Sequence, residues 1–262
     1  MTIGEALAKS ALDPREARIL LAHASGFSAA SLVAFSERRL APEVAERFAA
    51  FADRRRRGEP VAYIVGEKEF YGLTLTVTPA VLIPRPETEL VVELALEQAF
   101  ATAADLGTGS GAIALALKHH RPHARVVGVE ASAAALEVAR RNAVRLALQV
   151  EWRHGRWCEP LADERFQLIV SNPPYVAEGD PHLAALAYEP QGALIAGGEG
   201  LEAIRAIVRE APAHLERGGW LLIEHGQGQE SAVRRLLEQA GVEEVRSWPD
   251  LAGIPRVSGG RR

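Results

Sequence analysis

Over the first sixty residues apolar positions return every three or four residues, the period of helices that bury one face. Asp13-Pro14-Arg15-Glu16 sets an N-cap carboxylate, a proline at the first helical position and an acid in the first turn, which predicts a helix through Ala24. Pro42 opens a second helix, with Val44, Phe48 and Phe51 on one face, and Gly58 and Pro60 stop it. From Val61 to Val77 the period changes to two, with Leu73, Leu75 and Val77 alternating after Gly72, which predicts a hairpin. Beyond Glu87 the segments 103–106, 126–129, 150–152, 168–171, 220–223 and 242–247 and a last short one near 256–258 read as strands. Helical patterns at 90–100, 112–119, 132–147, 201–215 and 230–240 lie between most of them. This alternation predicts an α/β fold with a seven-stranded, mostly parallel sheet covered on both faces. The expected organisation is a helical domain at 1–60, a β-hairpin linker at 61–80 and a larger domain at 81–262.

A chain of 262 residues with 48% apolar and 24% charged residues can bury a sizeable core, which excludes wholesale disorder. Its 30 Lys and Arg against 34 Asp and Glu leave a net charge of −4, which argues against stable binding to bulk nucleic acid. Cys158, the single cysteine, can form neither an internal disulfide nor a thiolate cluster, and beside Glu159 it reads as packing. The histidines, among them His119, His120 and His123, show no metal-ligand spacing, so no metal is expected. Neither a basic, then apolar, leader nor a run of about 18 apolar residues occurs, so a cytoplasmic protein with no membrane span is expected. The basic run Arg54 to Arg57 reads as a solvated helix end complementing the macrodipole, with a contact for RNA or an acidic partner as the sharper alternative.

Asp105-Leu106-Gly107-Thr108-Gly109-Ser110-Gly111 follows a strand and opens a helix. Glycines let backbone turn tightly and approach a ligand, although tight helix packing can require them too. They fall at alternate positions, not in the Gly-x-Gly-x-x-Gly order that seats a pyrophosphate on a helix N-terminus. Asp105 would repel a diphosphate and attract a cation such as an α-amino group. Glu130, at the end of the next strand, can accept hydrogen bonds from both ribose hydroxyls. A nucleoside bearing positive charge fits better than a nicotinamide dinucleotide, and S-adenosylmethionine is such a molecule. Its methyl is activated by the cofactor's own chemistry, so the protein has mainly to position a nucleophile in line.

Asn172-Pro173-Pro174-Tyr175 stands directly after a strand, at the carboxyl end where parallel sheets place their sites. The prolines lack N–H groups, so the segment offers rigid acceptors. If the Asn172 side-chain oxygen and the Pro173 carbonyl each take one hydrogen of a planar NH2, its nitrogen lone pair is aimed at the methyl. Tyr175 offers a flat ring on which a planar amide or base can lie. Asn-Pro-Pro is also a common loop opener. Its position about 65 residues after the glycine loop favours the chemical reading.

These segments resemble the class I, Rossmann-like methyltransferase fold. Over nearly its full length the chain is similar to the HemK family, bacterial glutamine N5-methyltransferases that modify peptide chain release factors. The resemblance is carried by Gly58-Glu59-Pro60-Val61-Ala62-Tyr63-Ile64, Leu82-Ile83-Pro84-Arg85-Pro86-Glu87-Thr88-Glu89, the glycine loop, Ser171-Asn172-Pro173-Pro174-Tyr175, Tyr188-Glu189-Pro190 and Glu224-His225-Gly226. It implies methylation of the glutamine in the Gly-Gly-Gln motif of class 1 release factors, with the helical N-terminal part helping to dock that partner. It further implies that Gly107, Thr108, Gly109, Ser110, Gly111, Glu130 and Trp157 contact the cofactor, and that Asn172 to Tyr175 hold the glutamine amide. Arg85 and Glu87, stiffened by flanking prolines, are expected in a wall of the active site.

Two positions depart from the family pattern. Glu130 replaces the usual Asp and keeps the carboxylate. Arg156 stands where an Asp usually precedes the tryptophan, and having donors only it cannot accept the adenine amino hydrogens. Adenine is therefore expected to rest on backbone groups and Trp157. An adenine N6-methyltransferase is the nearest rival, because an adenine amine and a glutamine amide present the same planar NH2. Glutamine methylation of a ribosomal protein, a non-catalytic cofactor-binding partner of the translation machinery and a nicotinamide oxidoreductase rank below it. His225-Gly226-Gln227-Gly228-Gln229 reads as a strand end and helix start.

Overall fold

The computed structural model describes residues 1–262, which divide into two compact units, Met1–Glu67 and Lys68–Arg262. The first holds α1 (Ile3–Lys9), α2 (Pro14–Ser25), α3 (Ala29–Ala34), α4 (Pro42–Arg56) and α5 (Val61–Val65). Its starts are fixed locally. Thr2 and Glu5 close a reciprocal capping box on α1, and Asp13 accepts from the Arg15 and Glu16 N–H groups ahead of α2. Leu20, Leu21, Leu32 and Phe48 are buried together in its core, each worth about 1.5–3 kcal/mol when fully removed from water.

The arginines at the end of α4 are engaged within this unit. Arg54 holds Glu59 through two bonds of 2.8 and 2.5 Å, Arg55 holds Glu16 at 2.8 Å, and Arg56 pairs with Asp53. One expectation is corrected here: residues 61–65 are helical. Pro60 at the N-cap carries φ −59°, Gly66 at the C-cap takes the left-handed conformation, and the helix buries Tyr63 and Ile64. Burial against the helical core outweighs the strand preference of Val61, Ile64 and Val65.

The hairpin is confined to β1 (Glu67–Phe70) and β2 (Leu73–Thr76). The second unit continues with α6 (Glu89–Glu97), β3 (Thr102–Leu106), α7 (Ala112–His120), β4 (Arg125–Glu130), α8 (Ala133–Leu146), β5 (Glu151–His154), β6 (Phe166–Ser171), α9 (Glu202–Glu210), β7 (Leu215–Glu224), α10 (Glu230–Gln239), β8 (Glu243–Pro249) and β9 (Pro255–Arg261). The seven-stranded sheet has the order β5-β4-β3-β6-β7-β9-β8, parallel from β5 to β7 and antiparallel where β9 meets β7 and β8. The helix expected over 201–215 ends at Glu210 and continues as a 3-10 turn, because Pro212 has no N–H to extend it. Cys158 is buried, with its thiol pushed up to about 12 by desolvation and the Glu210 charge. No helix is long and apolar enough to cross a membrane.

Two apolar clusters flank the sheet, one including Val92, Leu115, Leu117 and Val170, the other Leu106, Val129, Ile169 and Ile204. The chain runs outward from β3 to β4 and β5, then returns to lay β6 on the other side of β3. The strand order therefore reverses between β3 and β6, and a crevice forms at their carboxyl ends.

Candidate active site at the switch point

A cavity of about 680 Å³ opens at that crevice, within the ~300–1,000 Å³ range of small-molecule sites. One side is the glycine loop. Gly107, Gly109 and Gly111 have φ of 75°, 57° and 85°, a left-handed series that only glycine adopts without strain. The Gly107 and Thr108 N–H groups both donate to the Val129 carbonyl at 2.9 Å, which ties the loop to β4. Asn142, wholly buried on α8, accepts from Thr76 N–H at 2.7 Å and donates to the Thr76 and Ser110 carbonyls at 3.0 and 2.9 Å, so it braces the loop against β2.

Glu130 lines the cavity at the end of β4, with Oε2 accepting from Gly109 N–H at 2.9 Å and Oε1 from Ser132 N–H at 2.8 Å. Each oxygen keeps a lone pair for a further donor. The Trp157 ring stands across from Gly107, where an added Cβ would meet Cζ3 at 3.1 Å, and its Nε1 is a buried donor without a partner. A glycine cradle, a carboxylate with spare acceptor capacity and an aromatic wall fit S-adenosylmethionine.

The other side is built by β6 and the segment before α6. Ser171 Oγ donates to the Leu106 carbonyl at 2.6 Å and seals the strand ends, leaving Asn172 at the rim. Asn172 Nδ2 donates to Thr88 Oγ1 at 3.0 Å, and no protein donor reaches its Oδ1. Thr88 and Glu224 are both buried. Tyr175 donates its hydroxyl to Glu224 Oε1 at 3.1 Å, while Glu224 Oε2 has no partner. Burial raises the Glu224 carboxyl to about 7, and the Thr88 and Tyr175 hydroxyls with Arg256 act against that rise. Burial also pushes the Tyr175 phenol up, and the Glu224 charge adds to the effect.

The cavity brings together Gly107, Thr108, Gly109, Ser110, Glu130, Arg156, Trp157, Asn172 and Pro174. Other expected contacts lie behind its wall. Asp105 is buried under the loop, where Oδ2 accepts from Thr108 Oγ1 at 2.5 Å and from Ala114 N–H at 3.2 Å while Oδ1 stays unpartnered. It braces the loop, and desolvation raises its carboxyl to about 7. Gly111 serves helix packing, since a Cβ there would press on Trp152, Leu115 and Ala139. Pro173 is buried, and the Tyr175 ring packs into the core cluster on its side of the sheet. Arg85 pairs with Glu189 and Glu87 is exposed, so neither forms the cavity wall.

Thr88, Asn142, Glu189 and Glu224 were assigned no role from sequence. Asn142 alone carried a local signal, as a polar residue on the face of α8 that buries Leu136, Ala139 and Ala143. No group of three or more His, Cys, Asp or Glu side chains is placed to hold a metal ion.

Strand order and switch-point cavity together define a class I S-adenosylmethionine-dependent methyltransferase. A Pyrococcus furiosus methyltransferase shares the fold at a TM-score of 0.57 and 19% identity, over 80% of this chain and 96% of its own. The Thermus thermophilus 16S rRNA N2 G1207 methyltransferase, solved with AdoMet and guanosine, does so at 0.56 and 23%, over 75% of this chain and 50% of its own. The family models Methyltransferase small domain and PrmC N-terminal domain match residues 86–199 and 3–66. A release factor glutamine methyltransferase of Burkholderia pseudomallei is 48% identical over 99% of this chain and 96% of its own. The one from Neisseria gonorrhoeae is 44% identical over 100% and 98%. The chain belongs to the release factor glutamine methyltransferase family.

Proposed function

We propose that this chain methylates the side-chain amide nitrogen of the glutamine in the Gly-Gly-Gln motif of class 1 peptide chain release factors, using S-adenosylmethionine. The observation that carries this reading is the continuity of one cavity from the glycine loop and Glu130 to Asn172 and Pro174. Bound there, S-adenosylmethionine supplies an electrophilic methyl on a sulfonium. Gly107 to Ser110 and Trp157 cradle it, and Glu130 accepts from its ribose. Arg156 lines the same wall with donors only, so backbone groups and Trp157 hold the adenine.

Asn172 Oδ1 and the Pro173 carbonyl accept the two amide hydrogens and aim the nitrogen lone pair into the cavity. As the nitrogen pyramidalises its hydrogens become more acidic, so both bonds strengthen toward the transition state. Pro174 shapes the adjoining wall. Tyr175 steadies the motif through Glu224, and Arg85 through Glu189. Neither step needs a covalent enzyme intermediate or a metal ligand from the protein. The helical unit at Met1–Glu67 docks the release factor, the enzyme works in the cytoplasm where that partner is found, and it forms no stable complex with nucleic acid.

Tritiated S-adenosylmethionine offered with a release factor, its Gly-Gly-Gln glutamine-to-alanine variant and duplex DNA tests the reading. Label is expected on the intact release factor alone. Label on DNA and none on protein would select the adenine N6 reading, and equal label on the alanine variant would reject the assigned glutamine.

A further inference from the structure

Beyond Asn172-Pro173-Pro174-Tyr175 the chain enters a long loop, residues 176–200, and returns to the cavity before α9. The two limbs of this loop run side by side. Val176 N–H donates to the Leu194 carbonyl at 2.9 Å, Ala196 N–H to the Val176 carbonyl at 3.0 Å and Glu178 N–H to the Gly197 carbonyl at 2.7 Å. The returning limb gives Ile195, Ala196 and Gly197 to the cavity wall, and Pro174 lines the same cavity just ahead of the outgoing limb.

At the neck of the loop sits Gln229, the last residue of His225-Gly226-Gln227-Gly228-Gln229, ahead of α10. Its Oε1 accepts from Gly226 N–H at 2.8 Å, just past the end of β7. Its Nε2 donates to the Tyr175 carbonyl at 3.1 Å and, more weakly, to the Glu199 and Gly200 carbonyls at 3.4 Å each. Carbonyls only accept and an N–H only donates, so the backbone itself fixes which way the Gln229 amide points. Two glycines keep the neck narrow. Gly200 has φ 71°, and a Cβ there would fall on the Tyr175 carbonyl oxygen and lie 3.0 Å from Gln229 Nε2. A Cβ at Gly226 would come within 3.1 Å of Gln229 Oε1 and 3.3 Å of the Tyr175 ring.

We infer that Gln229 is the clamp that holds the wall at Ile195–Gly197 in register with the Asn-Pro-Pro-Tyr acceptors. One side chain ties Tyr175, which precedes the loop, to Glu199 and Gly200, which close it, and anchors all three on the end of β7. Without it the limbs would keep their bonds to each other, but the Tyr175 backbone and the wall would shift against the sheet. Misplacing a substrate-holding group by about 1 Å costs ~100-fold in rate. Gln229 touches no reacting atom. It is a positioning residue, and what it positions rests on the glutamine-amide reading above.

The test uses the full chain and its Gln229→Met and Gln229→Glu variants. Gln229→Met keeps the length of the side chain and removes all of these bonds. Gln229→Glu keeps an acceptor for Gly226 N–H and, when ionised, replaces the donor with a charge facing three carbonyls. Both are expected to lose about 10- to 100-fold in kcat/KM for a release factor, with cofactor Kd by calorimetry within about 3-fold of wild type. Hydrogen exchange without substrate, followed by mass spectrometry, should quicken in peptides from 176–200 and keep wild-type rates in β3, β4 and β6. Undiminished kcat/KM in Gln229→Met, or wild-type behaviour in Gln229→Glu, would overturn the inference. Exchange that quickens through the whole sheet would overturn it as well, because it marks general destabilisation. Wild-type enzyme that labels no release factor would instead overturn the glutamine reading, and the clamp is then judged by exchange alone.

Discussion

Glu189 holds Arg85 across more than a hundred positions of sequence: its carboxylate pairs with the guanidinium and also accepts from Ile83 N–H at 3.0 Å. The Glu189 side chain is 3% exposed and that of Arg85 32%, so the acid is the member that cannot find water when the pair is broken. The contact joins Leu82-Ile83-Pro84-Arg85 to Tyr188-Glu189-Pro190, and Leu82, Pro84 and Pro190 line the cavity. Glu189→Ala should cost about 1–3 kcal/mol, because it strands a buried N–H while Arg85 turns to solvent. Glu189→Gln, which can still accept from Ile83, should cost less. Urea unfolding checks both, and equal stability of the two variants would assign the effect to the charge alone.

The three left-handed glycines of the cofactor loop differ in what surrounds them. A Cβ at Gly109 meets nothing within 4 Å, whereas one at Gly111 meets Trp152 at 3.0 Å, Leu115 at 3.1 Å and Ala139 at 3.2 Å. Gly109→Ala therefore carries only backbone strain, about 1 kcal/mol. Gly111→Ala adds overpacking of about 1–3 kcal/mol to a similar strain. Thermal melts of the two variants should rank Gly111→Ala as the less stable. Indistinguishable melting would mean that Trp152 gives way freely.

Much of this molecule is legible without coordinates, for identifiable reasons. The central strands β3, β4, β6 and β7 announce themselves as short apolar runs, and the loop at 107–111 and the Asn172 segment fall where parallel strands end. Side-chain direction was not legible. Asp105 has the chemistry to meet a cation, but register puts it opposite Gly128 and Val170 in the middle of the sheet, so it is sealed beneath the loop. Arg85 lies two residues from Glu87 and meets Glu189 instead, a partner that only the folded chain supplies. Thr88 meets Asn172 and Glu224 meets Tyr175 from segments far apart in sequence, and no local spacing encodes those meetings.

Asp105 also gives stability a pH dependence. Its carboxyl sits at about 7 in the fold against an ordinary value of 3.8, because burial opposes the charge and no cation faces Oδ1. Between those values the native state holds a proton that the unfolded chain has released, so this contribution is full below about pH 4 and is lost as pH rises through 7. Asp105→Asn removes it. Unfolding of the cofactor-free variant in urea should show it closest to wild type below about pH 4 and exceeding it by a growing margin from pH 5 to pH 8. The neighbouring slope, up to ~1.4 kcal/mol per pH unit for one proton, should shrink accordingly. His225, buried and held neutral, acts in the opposite sense as pH falls below its unfolded value, and it cancels in the comparison because both proteins carry it. A stability difference that stays constant from pH 5 to 8 would mean that Asp105 does not titrate in this window.

Asn172 separates binding from turnover. Its oxygen is proposed to act on the amide hydrogens, while the cofactor cradle is made by the loop after β3, by Glu130 and by Trp157, none of which bonds to the Asn172 side chain. Asn172→Ala should bind S-adenosylmethionine within a few-fold of wild type and lose about 100- to 1,000-fold in kcat, the scale seen when one preorganised transition-state contact is deleted. Asn172→Asp tests the polarity of the contact. A carboxylate there could still accept from the substrate but would lose the donor to Thr88. It should therefore rescue little of the loss. Calorimetry and single-turnover transfer on the same preparations separate the two steps, and near-normal turnover in Asn172→Ala would remove this residue from the chemistry altogether.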